Sequence, residues 1–159
     1  MRARLVFVLA AVAFVAGPVF LVRAVQGTRI AQWQERGFAS TEPPRWWSEG
    51  VSSLSEALEW RANGFGPDEA GAWRQMQFGA IDAKEWKQAG FVPLTAVEWR
   101  RQAFDAISAA GWTAASFSVG EAASWRKRAF TAAEAMAWRQ QGRGPLEAAD
   151  ARAARGASR

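Results

Sequence analysis

The residue types that carry most enzyme chemistry are missing from this chain of 159 residues. It contains no His, no Cys and no Tyr. A thiolate nucleophile, a histidine base and any zinc site built from Cys or His are therefore excluded. Carboxylate pairs, Ser with Lys, and oxygen ligands for a hard metal ion remain as chemical options. None of these options is marked by a motif, so we predict a protein that is not an enzyme and has no catalytic residue, cofactor or metal site.

The best candidates for acid–base work are carboxylates that recur at multiples of thirteen residues: Glu56, Glu69, Asp82, Glu121, Glu134 and Glu147. Three of them stand three residues after a hydroxyl side chain, in the pairs Ser53/Glu56, Ser118/Glu121 and Thr131/Glu134. That spacing is the capping box of a helix N-terminus, in which each side chain bonds the other residue's backbone N–H. We therefore predict a capping role for these carboxylates.

Tryptophan follows the same period. Nine of the ten Trp residues occupy positions 33, 46, 60, 73, 86, 99, 112, 125 and 138. A Phe follows most of them by five residues, and from position 57 onward an Ala precedes each by three. Such a ladder could stack on glycans or bases, but its fixed phase favours core residues. Only Trp47 lies outside the series, and it is a candidate for surface exposure.

One long helix cannot explain the repeat, because thirteen steps of about 100° give no common stripe of Trp side chains. The pattern instead predicts one helix of about ten residues per repeat across residues 53–150. A residue that can cap a helix N-terminus lies seven positions before most Trp residues. Gly64, Gly90 and Gly142 each lie four positions after a Trp. This predicts a Schellman ending that joins each Trp to its Phe.

The predicted fold class is all-α, a solenoid-like array of these short helices. Because Gly-containing turns mostly alternate with turns such as AFDA, we predict 26-residue hairpins with two alternating turn types. A single repeat buries too little to fold alone, so neighbours must stack. The last unit has Ala151 at the Trp position and Arg143 at the preceding Phe position, which predicts a polar terminal cap. At the other end, Pro43-Pro44 is expected to block a helix start, and residues 39–52 are predicted to be a linker.

Residues 5–22 form an uncharged run between Arg4 and Arg23. Its length nearly covers a hydrocarbon core of roughly 30 Å. We predict an uncleaved signal-anchor over a cleaved signal peptide, whose apolar stretch is shorter. The predicted domains are residues 1–23 as membrane anchor, 24–52 as juxtamembrane helix and linker, and 53–159 as repeat domain. The arginine-bearing front end favours a single-pass protein of a bacterial inner membrane with its repeats outside the cytoplasm.

Basic residues are concentrated at the two ends of the chain. Residues 24–122 hold 9 basic and 12 acidic side chains, whereas residues 123–159 hold 8 and 3. A solvated basic end explains this better than a polyanion site, so nucleic acid is not an expected partner. The predicted partner-contact residues are Arg45, Trp47, Arg126, Lys127 and Arg128. The Arg or Lys that directly follows most Trp residues suits the negative end of a helix.

The phrase W-x-x-x-G-F, as at Trp60 to Phe65, resembles short Trp-bearing helical repeats of bacterial proteins, a resemblance that implies no particular activity. Two functions remain. The first is a membrane-anchored interaction or scaffold protein that presents its repeats to a protein partner. The alternative is a module that binds a cell-envelope polymer, peptidoglycan or polysaccharide.

Overall fold

The computed structural model describes residue 25 and residues 27–157, and this part of the chain is helical, with no strand. Residues 27–35 belong to the first described helix, α1. The helices that follow are α2 Glu42–Ser48, α3 Leu54–Ala62, α4 Pro67–Gln75, α5 Ala80–Gln88, α6 Pro93–Arg101, α7 Ala106–Ala114, α8 Val119–Arg126, α9 Ala132–Gln140 and α10 Pro145–Ala157. From α3 to α9 there is one short helix per repeat, which confirms the predicted all-α array of short helices.

The helices begin where the caps predict. Ser118 and Thr131 form complete capping boxes with Glu121 and Glu134 before α8 and α9. In the second box, the Thr131 N–H donates to Glu134 Oε2 at 2.8 Å, and the Glu134 N–H donates to Thr131 Oγ1 at 3.3 Å. Ser53 accepts the Glu56 N–H at 3.1 Å before α3. The predicted capping role of the carboxylates is therefore confirmed for Glu121 and Glu134, whereas at α3 the structure shows the cap made by the Ser53 hydroxyl.

Each helix that carries a repeat Trp ends in the same way. The residue five positions after the Trp, a Phe in most repeats, donates its N–H back to the Trp carbonyl, as between Phe65 and Trp60 at 3.0 Å, and the residue before this donor has a positive φ. That left-handed residue is a glycine at 37, 50, 64, 90 and 142, but it is Gln77, Ala103, Ser116 or Ala129 elsewhere. The two classes of turn sequence thus share one Schellman backbone, and the prediction of two turn types is wrong. The hydrogen bonds and the Trp–Phe contact hold the non-glycine residues in this conformation.

The tryptophans form the core, as predicted. All repeat Trp residues from 33 to 125 are buried, Trp138 is half-buried, and the Ala three positions before each Trp from 60 onward is fully buried. From Trp73 to Phe130 the rings make one alternating series. Ring centroids lie 5.0–5.2 Å apart within a repeat and 6.1–6.4 Å apart between successive repeats. No charged or polar residue is buried in the described part of the chain.

The predicted linker contains a helix. Pro43-Pro44 does not block a helix start, because α2 begins at Glu42 and places both prolines in its first turn. The backbone N–H groups of a first turn have no partner inside the helix, so proline loses nothing there. Trp46 is buried, and Val51 occupies the Phe position of this repeat and donates its N–H to the Trp46 carbonyl at 2.9 Å. The repeat geometry therefore continues through residues 39–52.

The chain divides into two compact units, one up to Gly71 and one from Ala72. The predicted membrane anchor at residues 5–22 lies outside the described residues. Among the helices that the structure describes, none combines the length and the apolar character needed to span a membrane.

The last helix covers the end of the second unit. Ala148 of α10 is fully buried, although Ala151 replaces the usual Trp. The half-buried Trp138 lies beneath the guanidinium groups of Arg143 and Arg155, whose Cζ atoms are 5.4 and 5.1 Å from its ring. Charged side chains therefore cover part of the last Trp of the series, and the polar terminal cap stays a prediction.

Candidate functional site

A column of arginines connects repeats that lie two apart. Its described members follow a Trp, or the Ala that replaces it, and are Arg61, Arg100, Arg126, Arg139 and Arg152. Each places its Cζ atom 3.6–3.9 Å from the ring centroid of the Phe two repeats earlier. A guanidinium in this position makes a cation–π interaction with the electron-rich face of the ring. We call these five residues the arginine column.

The same guanidinium groups bond the turn beneath them. Arg100 donates from Nη1 to the Gln77 carbonyl at 3.0 Å and from Nη2 to the Met76 carbonyl at 2.6 Å. Arg139 repeats the pattern at Ser116 and Ala115, also at 3.0 and 2.6 Å. The predicted contact with a helix C-terminus is therefore made, but with the helix two repeats earlier. A constant separation of 22 residues between Phe78 and Arg100, and between the later pairs, is the sequence signal for this contact.

The predicted basic contact cluster is partly engaged in this packing. Arg126 belongs to the arginine column: it lies over Phe104 and donates to the carbonyls of Gln102 and Ala103. Arg128 donates to the Ser124 carbonyl at 3.1 Å. Lys127 is exposed at the end of α8. Partner contact by these three residues stays a prediction, and Arg126 has a structural role besides.

Arg45 and Trp47, both on α2, belong to the other unit. The Arg45 guanidinium forms an exposed ion pair with Asp68 at 2.8 Å. Trp47 is half-buried; its ring lies edge-on to Trp33 with centroids 5.9 Å apart, and Arg29 covers it at 4.8 Å. Its indole Nε1 is buried and has no hydrogen-bond acceptor in the described part of the chain. Trp47 therefore packs within its unit more than its position outside the repeat suggested, and its partner contact stays a prediction.

A cavity of about 490 Å³ lies between the end of α5 and the beginning of α7. It is lined by Glu85, Gln88 and Ala89 from the first segment and by Asp105, Ala106, Ile107 and Ala110 from the second. We call it the α5–α7 cavity. Its lining combines small apolar groups with two carboxylates and has no cation, so it suits an apolar group next to a positive charge.

Exposed aliphatic side chains mark this part of the array, and our sequence analysis missed them. Ile81, Leu94 and Ile107 each occupy the second position of their helix and are 61%, 63% and 84% exposed. The corresponding residues of the preceding and following repeats include Asp68 and Gly120. Large aliphatic residues in a solvent-facing column are the signal that would have revealed this surface.

The charge at the cavity is fixed by local hydrogen bonds. The pKa of Asp105 is lowered because its carboxylate accepts the backbone N–H and the hydroxyl hydrogen of Ser108, both at 2.8 Å. The carboxylate is therefore ionised at neutral pH. Within the described residues, no group of three or more Asp or Glu side chains is placed to hold a metal ion. The arrangement can bind and orient a cationic or apolar group.

The search for similar proteins identified no family: no family model matches the sequence, and no curated protein or solved structure matches it significantly.

Proposed function

We propose that the protein is a non-catalytic interaction or scaffold protein whose helical repeats bind a segment of a partner protein at the α5–α7 cavity. One observation carries the proposal. Ile107 is 84% exposed, more than any other large apolar side chain among the described residues, and lines a cavity of about 490 Å³. Exposed apolar side chains beside a concave surface are typical of sites that bind other molecules.

The proposal includes a solenoid arrangement of 26-residue hairpins. In the unit from Ala72 onward, the ring contacts between different repeats join only neighbouring repeats, and each arginine of the column joins repeats two apart. Contacts of only these two ranges are what a linear stack of hairpins would make. A linear stack presents the same helix position again and again along one surface, as with Ile81 and Ile107.

The membrane anchor at residues 5–22 and the location of the repeats outside the cytoplasm enter this proposal from the sequence alone. An anchor would hold the repeats near a membrane and confine partner search to proteins that share that surface. A fusion of a reporter enzyme to the C-terminus, active only outside or only inside the cytoplasm, tests the orientation.

The alternative, binding of an envelope polymer, has less support. Sugars stack on exposed aromatic faces, whereas the repeat Trp residues from 33 to 125 are buried. The half-buried Trp138 is covered by Arg143 and Arg155. The aromatic ladder thus offers few open ring faces within the described residues.

Photocrosslinking of the full-length protein tests the proposed function. Benzoylphenylalanine at position 107 should yield one discrete protein adduct in membranes of the native host. The matched control is the same group at Met136, which is also exposed and aliphatic but lies on α9, away from the cavity. Adducts of equal pattern at both positions, or retention of the protein by purified cell-wall glycan without any protein adduct, would contradict the proposal.

A further inference from the structure

Within the unit from Ala72 onward, the arginine column is interrupted at the turn that ends in Phe91. In the unit from Ala72 onward, its members bind the turns that end in Phe78, Phe104, Phe117 and Phe130. Each arginine donates to carbonyls 23 and 24 residues earlier. The turn that ends in Phe91 has Ala89 and Gly90 at the carbonyl positions. The residue that lies 23 positions after Gly90 and 24 after Ala89, where the column would place an arginine, is Thr113. Threonine carries no positive charge and has a much shorter side chain than arginine, so this turn is not bound by the column.

The turn itself keeps the geometry of the others. Gly90 has φ +88°, and its N–H donates to the Lys87 carbonyl at 3.0 Å. The Phe91 N–H donates to the Trp86 carbonyl, also at 3.0 Å. No backbone N–H in the described part of the chain donates to the carbonyl oxygens of Ala89 and Gly90. Phe91 is 9% exposed, whereas the four Phe residues covered by arginine in this unit are 3–4% exposed.

This turn therefore has the elements that bind a guanidinium at four other places in the same unit: two carbonyl acceptors and the face of a Phe ring. We call the carbonyls of Ala89 and Gly90 together with the Phe91 ring the guanidinium site. The acceptors are fixed by the Schellman backbone, so binding requires little ordering of the protein.

The surroundings also favour a cation. Ala89 lines the α5–α7 cavity as well, so the guanidinium site and the cavity adjoin. Glu85 and Asp105 add two carboxylates to the cavity lining, and Ile107 adds an exposed apolar side chain. The matching ligand is an arginine next to an apolar residue, because a guanidinium stacks on a ring and bonds two acceptors at once, which an ammonium does less well.

We propose that the guanidinium site binds an arginine side chain of the partner protein, with a neighbouring apolar side chain of the partner in the α5–α7 cavity. The partner arginine would take the place that Thr113 leaves open in the column. This inference rests on the proposed interaction function and adds the chemistry of the partner to it.

The test titrates the isotope-labelled full-length protein with the peptide acetyl-Ala-Leu-Arg-Leu-Ala-amide. The amide NMR signals of Ala89, Gly90 and Phe91 should shift in a saturable way. Replacing the arginine of the peptide by citrulline, which is similar in shape but uncharged, should weaken binding at least about tenfold, since both the charge-assisted hydrogen bonds and the ring contact are lost. No saturable shift at these residues, or equal binding of the citrulline peptide, would overturn the inference.

Two variants make the test specific. Thr113→Arg should complete the column, raise the thermal stability and abolish the peptide shifts. Ala114→Arg is the matched control, because it adds the same charge at the neighbouring exposed position and should leave binding unchanged. Arg126→Thr should open an equivalent site and add peptide-dependent shifts at Gln102, Ala103 and Phe104. Undiminished peptide binding by Thr113→Arg would refute the guanidinium site.

The crosslinking experiment separates this inference from the proposed function. If the adduct at position 107 forms in the wild-type background and is lost in Thr113→Arg, the result supports both the proposed function and the arginine inference. If it forms equally in the two backgrounds, the partner does not use the guanidinium site, and only the arginine inference fails.

Discussion

At the scale of single residues, Trp86 shows what each tryptophan of the series contributes. It is buried, and its ring centroid lies 6.1 Å from that of Phe78 and 5.1 Å from that of Phe91. Trp86→Ala should lower the free energy of unfolding by about 3–5 kcal/mol, the range for an aromatic side chain removed from a core. Urea unfolding of the full-length protein, followed by circular dichroism, measures the change.

The matched control for Trp86→Ala is Ile107→Ala, because Ile107 is 84% exposed. Its substitution should change the free energy of unfolding by no more than about 0.5 kcal/mol. If Trp86→Ala were as stable as the wild type, tryptophan would not be the core residue of the repeat.

The arginine column predicts a second difference between neighbouring residues. Arg100 contacts Phe78 and two carbonyls, whereas the Arg101 side chain is exposed and forms no hydrogen bond, ion pair or ring contact with another described residue. Arg100→Met should lower the free energy of unfolding by about 1–3 kcal/mol, since a ring contact and two charge-assisted hydrogen bonds are lost. Arg101→Met should have almost no effect. Equal effects of the two variants in urea unfolding would show that only net charge matters.

At the scale of the element, the identity of the left-handed residue in each turn affects the stability of the helix C-terminus. Ala129 has φ +57°, a conformation that costs an alanine roughly 1 kcal/mol relative to glycine. Ala129→Gly should therefore raise the free energy of unfolding by about 0.5–1 kcal/mol. Gly90→Ala should lower it by about 1 kcal/mol, since Gly90 has φ +88° although an added Cβ would meet no neighbour. Melting temperatures that move in the same direction would refute this account.

The capping boxes predict how stability depends on pH. The pKa of Glu121 lies below its ordinary value of 4.5 because its carboxylate accepts the hydroxyl hydrogen and the N–H of Ser118. The pKa of Glu134 is lowered in the same way by the N–H and hydroxyl of Thr131. A lowered pKa in the folded state stabilises the protein above the unfolded value, and this contribution is lost as the pH falls from 4.5 through the folded value.

The double variant Ser118→Ala/Thr131→Ala should thus be less stable at pH 7, by about 1 kcal/mol per cap. Its free energy of unfolding should also fall less steeply than that of the wild type below about pH 4.5. Thr95→Ala is the control, because the Thr95 hydroxyl bonds the Val92 carbonyl and no carboxylate. Parallel pH profiles for the double variant and the wild type would contradict the capping account.

At the scale of the whole molecule, each repeat contacts only repeats close to it along the array. Removal of one helix is therefore expected to destabilise the neighbouring helices and not the distant ones. In the second unit, α10 covers the preceding repeats through Arg152 on Phe130 and through the buried Ala148. Truncation after Gly144 should therefore speed amide hydrogen exchange in α8 and α9 and leave α5 nearly unchanged. Arg152→Met should give a weaker effect in the same helices. A uniform increase from α5 to α9 would indicate one cooperative core.

Much of the fold was predictable because its signals lie within one repeat. Ser118 and Glu121 are three residues apart, and Trp60 and Phe65 are five apart. A capping box and a Schellman ending need only these neighbours, so the sequence alone placed the helix starts, the helix ends and the aromatic core. The prolines of α2 were misread because a first turn tolerates what the interior of a helix does not.

The sequence by itself thus determined where each helix from α3 onward begins and ends and that the rings of the repeat form the core, since those features arise from bonds between residues close along the chain. The tertiary structure alone decided what Arg100 contacts, that Ala129 adopts a left-handed conformation, and that Ile107 borders a cavity with Glu85. The physical reason is the stacking of repeats. Residues 22 or more positions apart meet only after the helices between them have packed, and the hydrogen bonds of that packing hold backbone conformations that local preference disfavours.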